Sequence, residues 1–542
     1  MIKRIVNLFF YVLIINTVSF PQGGGLIIGD NFRIFPGNTS QTEVFITKHP
    51  SNTNILFSSA NTIQFQPTFF VSEGVYVSTD AGSSWFGSDT CKGAYIFFHG
   101  GDPGITIDKN GTFILTRRGT TPPFQGIYSH FSNDLGITWS PQKTISTDEI
   151  ERATVVSDTD PTSTFYERTY ASWAKLTPPY SIGFASTDDG AQNWSAAIPL
   201  SNANLRRVGA EIDLGAENQV YVCWAGITSV SPFTEVLVGF ASSTNGGANW
   251  VINENAFPMN GIVGIMPEKQ SIRVNGLPRM AVDQSTTATR GTIYIVTSQK
   301  NLLPAGGDPD IILRKSTDGG SNWSDGIKVN QDALSNGKYQ FFPGITVDQF
   351  GGVNIIFYDD RNTTSDSSGV FLARSTDAGS TWIEYEISDR NFEPIAVSGL
   401  GQGYMGDNID ITSVGNKLFP VWMDNRTGIF QIWSVPIEIL PVGIENENGF
   451  SVPSEFELIQ NYPNPFNPNT MIEYYLPTSS NVSLKIFDVT GKEVVSLLND
   501  FRVEGNHKVN FEASKFGLSS GVYFYTLTAN GFTQTKSMVL LK

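Results

Sequence analysis

The chain has 542 residues, with 35 Lys+Arg against 51 Asp+Glu, 52 Gly, 28 Pro and 2 Cys. Charged residues make up 16%, below the roughly 25% of an average soluble protein, and the glycine excess marks a turn-rich, β-leaning composition. A formal net charge of −16 argues against a nucleic-acid or anionic-membrane partner, since either needs a Lys/Arg surplus. The two cysteines, Cys91 and Cys223, argue against a disulfide scaffold and show no metal-ligand spacing.

The chain opens with Lys3-Arg4, an apolar run from Ile5 to Ile15, and Thr17-Val18-Ser19. A basic start, a short apolar core and small residues before a cut site predict a signal peptide over residues 1–19, whereas a spanning helix needs about 20 apolar residues. No other stretch is apolar enough to span a bilayer, so the mature chain is expected to lack a transmembrane segment.

Between residues 26 and 440 one octapeptide recurs. It reads Ser78-Thr-Asp80-Ala-Gly82-Ser-Ser-Trp85, Ser132-Asn-Asp134-Leu-Gly136-Ile-Thr-Trp139, Ser316-Thr-Asp318-Gly-Gly320-Ser-Asn-Trp323 and Ser375-Thr-Asp377-Ala-Gly379-Ser-Thr-Trp382. Ser243-Thr-Asn245-Gly-Gly247-Ala-Asn-Trp250 replaces Asp by Asn, and Ser186-Thr-Asp188-Asp-Gly190-Ala-Gln-Asn-Trp194 reads as carrying one extra residue before its Trp. An Asp or Asn side chain accepts backbone N–H groups in a tight turn, Gly takes the positive φ, and Trp covers the gap between sheets. Asp80, Asp134, Asp188, Asn245, Asp318 and Asp377 are therefore structural candidates, not catalytic ones.

These six copies resemble the Asp-box, or BNR repeat, of the sialidase superfamily of β-propellers. The resemblance places the boxes on third-to-fourth-strand hairpins, across the propeller from the ligand face. The copies start at 78, 132, 186, 243, 316 and 375. Their mean spacing of about 59 residues suits four short strands per unit, and residues 26–440 hold about seven such units. The expectation is an all-β chain with a seven-bladed β-propeller, six blades being the alternative. The last unit lacks a box, so its fourth strand is predicted to come from Leu26 to Phe35, closing the ring and removing both sheet edges.

Residues 441–454 have linker composition. From 455 to 542 the chain alternates apolar and polar residues, as in Val482-Ser-Leu-Lys-Ile-Phe487, between turns at Gly491, Gly505, Gly517 and Gly531, which predicts a small Ig-like β-sandwich. Pro463, Pro465 and Pro468 fix φ and withhold donors, so the opening motif is expected to be extended rather than a central strand. Asn461-Tyr-Pro-Asn-Pro-Phe466, Asp488 with Gly491, Gly521-Val-Tyr523 and the closing Lys536–Lys542 resemble the C-terminal sorting domain of type IX secretion substrates. That resemblance implies Sec export, passage through the type IX machinery, attachment to surface lipopolysaccharide, and an extracellular or outer-membrane-surface location.

Candidate chemistry is sought on the face opposite the boxes. Asp102, Arg152, Arg207, Glu211, Arg279, Tyr404 and Asp407 fall at or before first strands, and Arg33-Ile-Phe-Pro36 is similar to the Arg-Ile-Pro motif of sialidases with one residue inserted. The resemblance implies Arg33, Arg279 and Arg361 for a substrate carboxylate, bound bidentately by guanidinium. It further implies Tyr404 as nucleophile, Glu211 as its partner and Asp102 as acid. Phe357-Tyr-Asp359-Asp-Arg361 and Trp422-Met-Asp424-Asn-Arg426 repeat an aromatic-x-Asp-x-Arg pattern. It reads mainly as an Asp–Arg turn lock, with Arg361 and Arg426 as substrate-binding alternatives. Tyr339, Phe341 and Phe342 are candidates for sugar stacking.

No cofactor is expected. Asp308-Pro-Asp310 and Asp158-Thr-Asp160 are calcium-loop candidates that lack further oxygen ligands and read first as solvated acidic turns. The function expected is recognition, with or without hydrolysis, of extracellular glycan. A non-catalytic adhesion or scaffold propeller binding protein or polysaccharide is the alternative.

Overall fold

The computed structural model describes residues 25–65, 69–91, 99–120, 125–201, 206–363, 366–440, 456–461, 463–478, 480–502 and 505–541. The predicted leader (1–19), linker (441–454) and Tyr462 lie outside the described residues. The chain divides into two compact units, Met1–Val442 and Gly443–Lys542.

The first unit is a β-propeller. Six four-stranded antiparallel sheets follow one another in chain order, with first strands Ser40–Lys48, Gly104–Ile107, Ile150–Ser157, Arg206–Leu214, Arg279–Val282 and Gln340–Val347. A seventh sheet begins at Asp410–Val414, and each first strand contacts the next around a closed cycle, the last meeting Ser40–Lys48. The seventh sheet borrows its outer edge from the other end of the chain. Leu26–Ile28 pairs antiparallel with Ile437–Ile439, and Phe32–Arg33 pairs with Gln431–Ser434. The predicted closure through Leu26–Phe35 is thus what the strand pairing shows, and it hides the edges an open ring would expose.

Large second-strand side chains lock the sheets. Trp173 and Trp224 are essentially fully buried. Each lies directly opposite a third-strand glycine, Gly183 and Gly239. A Cβ at either glycine would sit 2.2–2.3 Å from the indole, so only Gly admits the ring. Cys91 and Cys223 are buried in different core clusters.

The octapeptides form the predicted hairpins between third and fourth strands. In the first, Ser78 Oγ donates to Asp80 Oδ1 at 2.9 Å and Ser84 N donates to the same oxygen at 2.8 Å. Asn245 takes the same role, accepting from Ser243 Oγ at 3.0 Å and Asn249 N at 2.8 Å. The Trp then packs on the preceding sheet, as in Trp250 on Phe184 and Trp323 on Phe240, with centroids 5.0 and 5.2 Å apart.

The third octapeptide corrects the sequence reading. Its acceptor is Asp189, not Asp188: Thr187 Oγ1 donates to Asp189 Oδ1 at 2.8 Å and Asn193 N at 2.9 Å. The frame therefore begins at Thr187 and has no extra residue. Ala191 takes the glycine position with φ +67°. Asp188 points elsewhere and forms a two-pronged ion pair with Arg168 at 2.6 and 2.9 Å.

The second unit is a sandwich of a three-stranded sheet (Glu457–Leu458, Asn469–Leu476, Gly505–Glu512) and a four-stranded one (Glu493–Arg502, Ser480–Phe487, Gly521–Ala529, Phe532–Leu540). Alternating inward residues such as Val482, Leu484, Ile486, Tyr525 and Leu527 fill its core. The described residues of the proline-rich opening form no central strand, but they are bends rather than extended chain, and Phe466 alone bridges the last strand. Phe466 N donates to Val539 O and Leu541 N donates to Phe466 O, both at 2.9 Å. Asn461 closes the turn through Thr470 Oγ1 at 2.9 Å.

Candidate functional site

First strands begin, second strands end and third strands begin at one face of the ring, so the octapeptides, which follow third strands, lie at the other. On the first face opens a cavity of about 670 Å3. The first strands are broken at that face by β-bulges, between Thr42 and Phe45, Ile150 and Ala153, Val208 and Glu211, and Phe341 and Gly344. A bulge inserts a residue and re-aims its side chain. Here it places Glu43, at φ +52°, and Glu151 and Arg152 on the cavity wall.

Tyr404 lies at the centre of a polar cluster. Its hydroxyl lies 3.0 Å from Thr42 Oγ1 and accepts from Asn61 Nδ2 at 3.1 Å. Asn61 Oδ1 in turn accepts from the backbone N of Asp102 at 2.7 Å. Burial and the adjacent Glu43 carboxyl push the Tyr404 phenol well above its ordinary range. Burial likewise raises Glu43 well above the usual carboxylate range, aided by Asp102 and Asp407 and opposed by Arg273. Glu151 and Asp407 are also raised by burial. Glu235, fully buried, is pushed up to about 7, although it accepts the backbone N–H groups of Gly276 and Val263 at 3.0 and 3.1 Å.

Four arginines line the same cavity. Arg118 lies 3.7 Å from Asp102, Arg152 donates to Glu211 and Asn408 at 3.0 Å, and Arg273 donates to Asp407 at 2.6 Å. Arg206 has no acidic partner among the described residues and sits between two aromatic rings.

The sequence-predicted residues divide. Tyr404 and Asp102 line the cavity. Glu211 does not partner Tyr404; it bridges Arg152 and Arg279, the latter at 3.4 Å. Arg279 reaches Asp410 at 3.1 Å, and both Glu211 and Arg279 face a second cavity of about 290 Å3, lined by later residues of the same first strands. The carboxyl beside Tyr404 is Glu43 instead.

Arg33, Arg279 and Arg361 do not converge. Arg33 lies in the outermost strand of the seventh sheet, opposite Trp433. Arg361 is a lock, bound to Asp359 at 2.6 Å and to both oxygens of Glu384, with its guanidinium over Phe371. Arg426 is the same device, holding Asp424 at 2.7 Å and Asp389, over Trp433. Arg207 turns away to Glu254 at 2.7 Å. Phe341 and Phe342 are buried in the core rather than presented to ligand.

Several residues at the site, among them Glu43, Arg118, Glu151, Arg206, Glu235 and Arg273, were not singled out by pattern. Glu43 is hidden because a bulge leaves no mark in apolar alternation. Arg273 lies in an inserted hairpin, Gly264–Met266 with Ile272–Val274, between the fourth and fifth sheets. The one sequence signal is the longest interval between octapeptides, 243 to 316. Buried Lys269 anchors this hairpin to Asp360 at 2.6 Å, and Arg273 N donates to Gly403 O at 2.8 Å.

No group of three or more His, Cys, Asp or Glu side chains among the described residues is arranged to hold a metal. The two calcium-loop candidates are occupied by protein donors. Asp308 accepts from Gly337 N at 2.6 Å, Asp310 from Gly306 N and Asn330 Nδ2 at 2.7 Å, and Asp158 from Ser163 Oγ. Among the described residues no helix is long and apolar enough to cross a membrane.

Fold and site define a β-propeller with a charged central cavity and a C-terminal sandwich. Residues 460–541 match the family model of the secretion system C-terminal sorting domain. This tail implies the type IX secretion machinery and export to the cell surface or outside. No curated protein matches the sequence. Among solved structures the chain is similar to a polysaccharide lyase of family PL25, an ulvan lyase bound to -[GlcA(1-4)Rha3S]-, at 12% identity and TM-score 0.47, covering 75% of this chain and 95% of that one. It is similar to the GH93 α-L-arabinofuranosidase of Fusarium graminearum at 10% identity and TM-score 0.42, covering 77% and 98%. It is also similar to the intramolecular trans-sialidase from Ruminococcus gnavus at 10% identity and TM-score 0.43, covering 65% and 98%.

Proposed function

We propose that this protein is exported through the type IX route, held at the cell surface on lipopolysaccharide, and recognises extracellular glycan in the cavity around Tyr404. The observation that carries the reading is the convergence, at the centre of a closed ring, of bulge-aimed carboxyl groups, arginines and a phenol in a space large enough for several sugar residues. Such a cavity offers the few fixed polar groups on a rigid scaffold that ligand sites use. Hydroxyl-rich ligands suit a wall that mixes donors and acceptors, as the carboxyl, amide, hydroxyl and guanidinium groups here do.

Hydrolysis is a second reading, favoured by the Tyr404 hydroxyl beside Glu43 with Asp102 near by. Recognition stands first because burial raises both the Tyr404 phenol and the Glu43 carboxyl above their ordinary ranges, which disfavours the charged forms a nucleophile and its base need. The test is incubation of the purified propeller with a fluorogenic sialoside and a polysaccharide panel, reading binding and released sugar separately. Binding without release supports recognition. Release supports hydrolysis and overturns recognition alone, and neither result overturns the glycan reading.

A further inference from the structure

Arg206 opens the first strand of the fourth sheet and lines the cavity near the loops that join second to third strands in the third and fourth sheets. The other three cavity arginines each face a carboxylate. Arg206 faces none among the described residues, and its Nε is buried without an acceptor. Its guanidinium lies instead 5.6 Å from the Tyr180 ring centroid and 5.6 Å from that of Phe233.

The backbone that carries each ring is hydrogen-bonded. The Tyr180 carbonyl accepts from Arg207 Nη1 at 2.7 Å. Phe233 is held in a closed turn, with Thr228 N donating to Thr234 O at 3.0 Å and Phe233 N to Val230 O at 2.9 Å. Aromatic faces stabilise the cation without neutralising it. A half-buried guanidinium without a counter-ion is costly in the empty protein. Its five donors form a planar fork that matches an oxyanion. Phe233, which lines the cavity beside the guanidinium, is 39% exposed, so an apolar ring face stands beside the charge.

We propose that Arg206, Tyr180 and Phe233 form a rim subsite for an acidic substituent, a carboxylate or sulfate ester, on a sugar stacked against Phe233. This inference rests on the glycan reading and narrows it. The ligand becomes an acidic polysaccharide, and its acid group is taken at the rim rather than by the arginine triad that the sialidase resemblance implies. The chain as a whole carries −16, so the attraction is local to the guanidinium.

The test is calorimetric titration of the full mature chain at neutral pH and low salt with three oligosaccharide sets: oligogalacturonates, carrageenan oligosaccharides and neutral laminari-oligosaccharides. The expected result is that at least one acidic set binds about tenfold or more tightly than the neutral set. The preferred set identifies carboxylate or sulfate as the group. Arg206→Gln should remove that preference, Phe233→Ala should weaken it, and Arg390→Gln, an exposed charge control, should leave it intact. Thermal melts confirm that each variant is folded, and Arg206→Lys retains the charge if the Gln variant unfolds. Binding of neutral sugars as tight as acidic ones, or an acidic preference that survives Arg206→Gln, overturns the subsite and leaves the glycan reading standing. Binding of none of the three sets overturns both.

Discussion

Arg273 donates to Asp407 at 2.6 Å across a separation of 134 residues, tying the hairpin inserted after the fourth sheet to the loop that opens the seventh. The Arg273 guanidinium also lies 5.2 Å from the Tyr404 ring centroid. One ion pair thus places a cation against the phenol at the centre of the cavity, from an element that belongs to neither neighbouring sheet.

Arg273→Ala is expected to weaken glycan binding by about tenfold or more, as loss of a charge-assisted contact in a cavity does. The side chain is 36% exposed, so the stability cost should be only about 0.5–1 kcal/mol. Titration with the bound glycan and urea unfolding of the same sample check both halves. A large stability loss with unchanged binding would make the pair purely structural.

Arg361→Ala should behave in the opposite way. It leaves Asp359, whose side chain is fully buried, without its counter-ion, and removal of one partner of a buried pair costs about 3–5 kcal/mol. Glycan affinity at the folded temperature should be unchanged. Chemical denaturation alongside titration distinguishes a lock from a ligand contact.

Glu235→Gln should alter the pH dependence of stability. Burial raises this carboxyl to about 7 from an ordinary 4.5, with Glu151 the facing acid that adds to the rise. Between those values the folded state binds more protons than the unfolded one, so the contribution of Glu235 is full below about 4.5 and is lost as pH rises through about 7. The variant should therefore gain on the parent as pH climbs from 4.5 to 7.5 in urea unfolding. A flat difference, or one of opposite slope, would contradict the raised value.

Gly320→Ala and Gly319→Ala form a matched pair. Both glycines have positive φ, +87° and +70°. A Cβ at 320 would lie 2.1 Å from Phe240, whereas at 319 the nearest atom is 3.7 Å away. The Gly319 variant should lose about 1–2 kcal/mol from backbone strain alone. The Gly320 variant should lose about 1–3 kcal/mol more, because it also drives apart two sheets. Denaturation midpoints of the two variants test the role of the octapeptide turn as an inter-sheet wedge.

Deletion of residues 456–542 should leave the protein in the periplasm of a host with the type IX machinery, while the full chain reaches the surface. Cell fractionation with surface protease digestion reads the outcome. Surface delivery of the truncated chain would refute the sorting role.

The period and outline of the fold were legible in the sequence because turn chemistry is local. A Ser, an Asp two residues on, a Gly and a Trp specify a hairpin wherever they fall, and their spacing counts the sheets. Even the closing strand Leu26–Ile28 followed from counting a last unit that lacked an octapeptide. The sorting sandwich was readable for the same reason, through the alternation of its strands. The frame of the third octapeptide was not. Asp188 and Asp189 both sit near the expected place, and only the reach of Thr187 Oγ1 to Asp189 selects between them.

The site required tertiary structure. Sequence placed Tyr404 and Asp102 on the face opposite the octapeptides, where both line the cavity, but it assigned Glu211 to Tyr404 and gathered Arg33, Arg279 and Arg361 into one cluster. Which side chain faces the centre depends on bulges at Thr42–Phe45 and Ile150–Ala153 and on a hairpin that carries Arg273 across the ring. A bulge shifts the two-residue period by one without altering composition, and closure of a ring joins residues hundreds of positions apart. Local chemistry therefore determined that this chain forms a propeller with a sorting tail. Closure of the ring decided that Glu43, not Glu211, lies beside Tyr404, and that Arg361 and Arg426 lock sheets while Arg206 and Arg273 face the cavity.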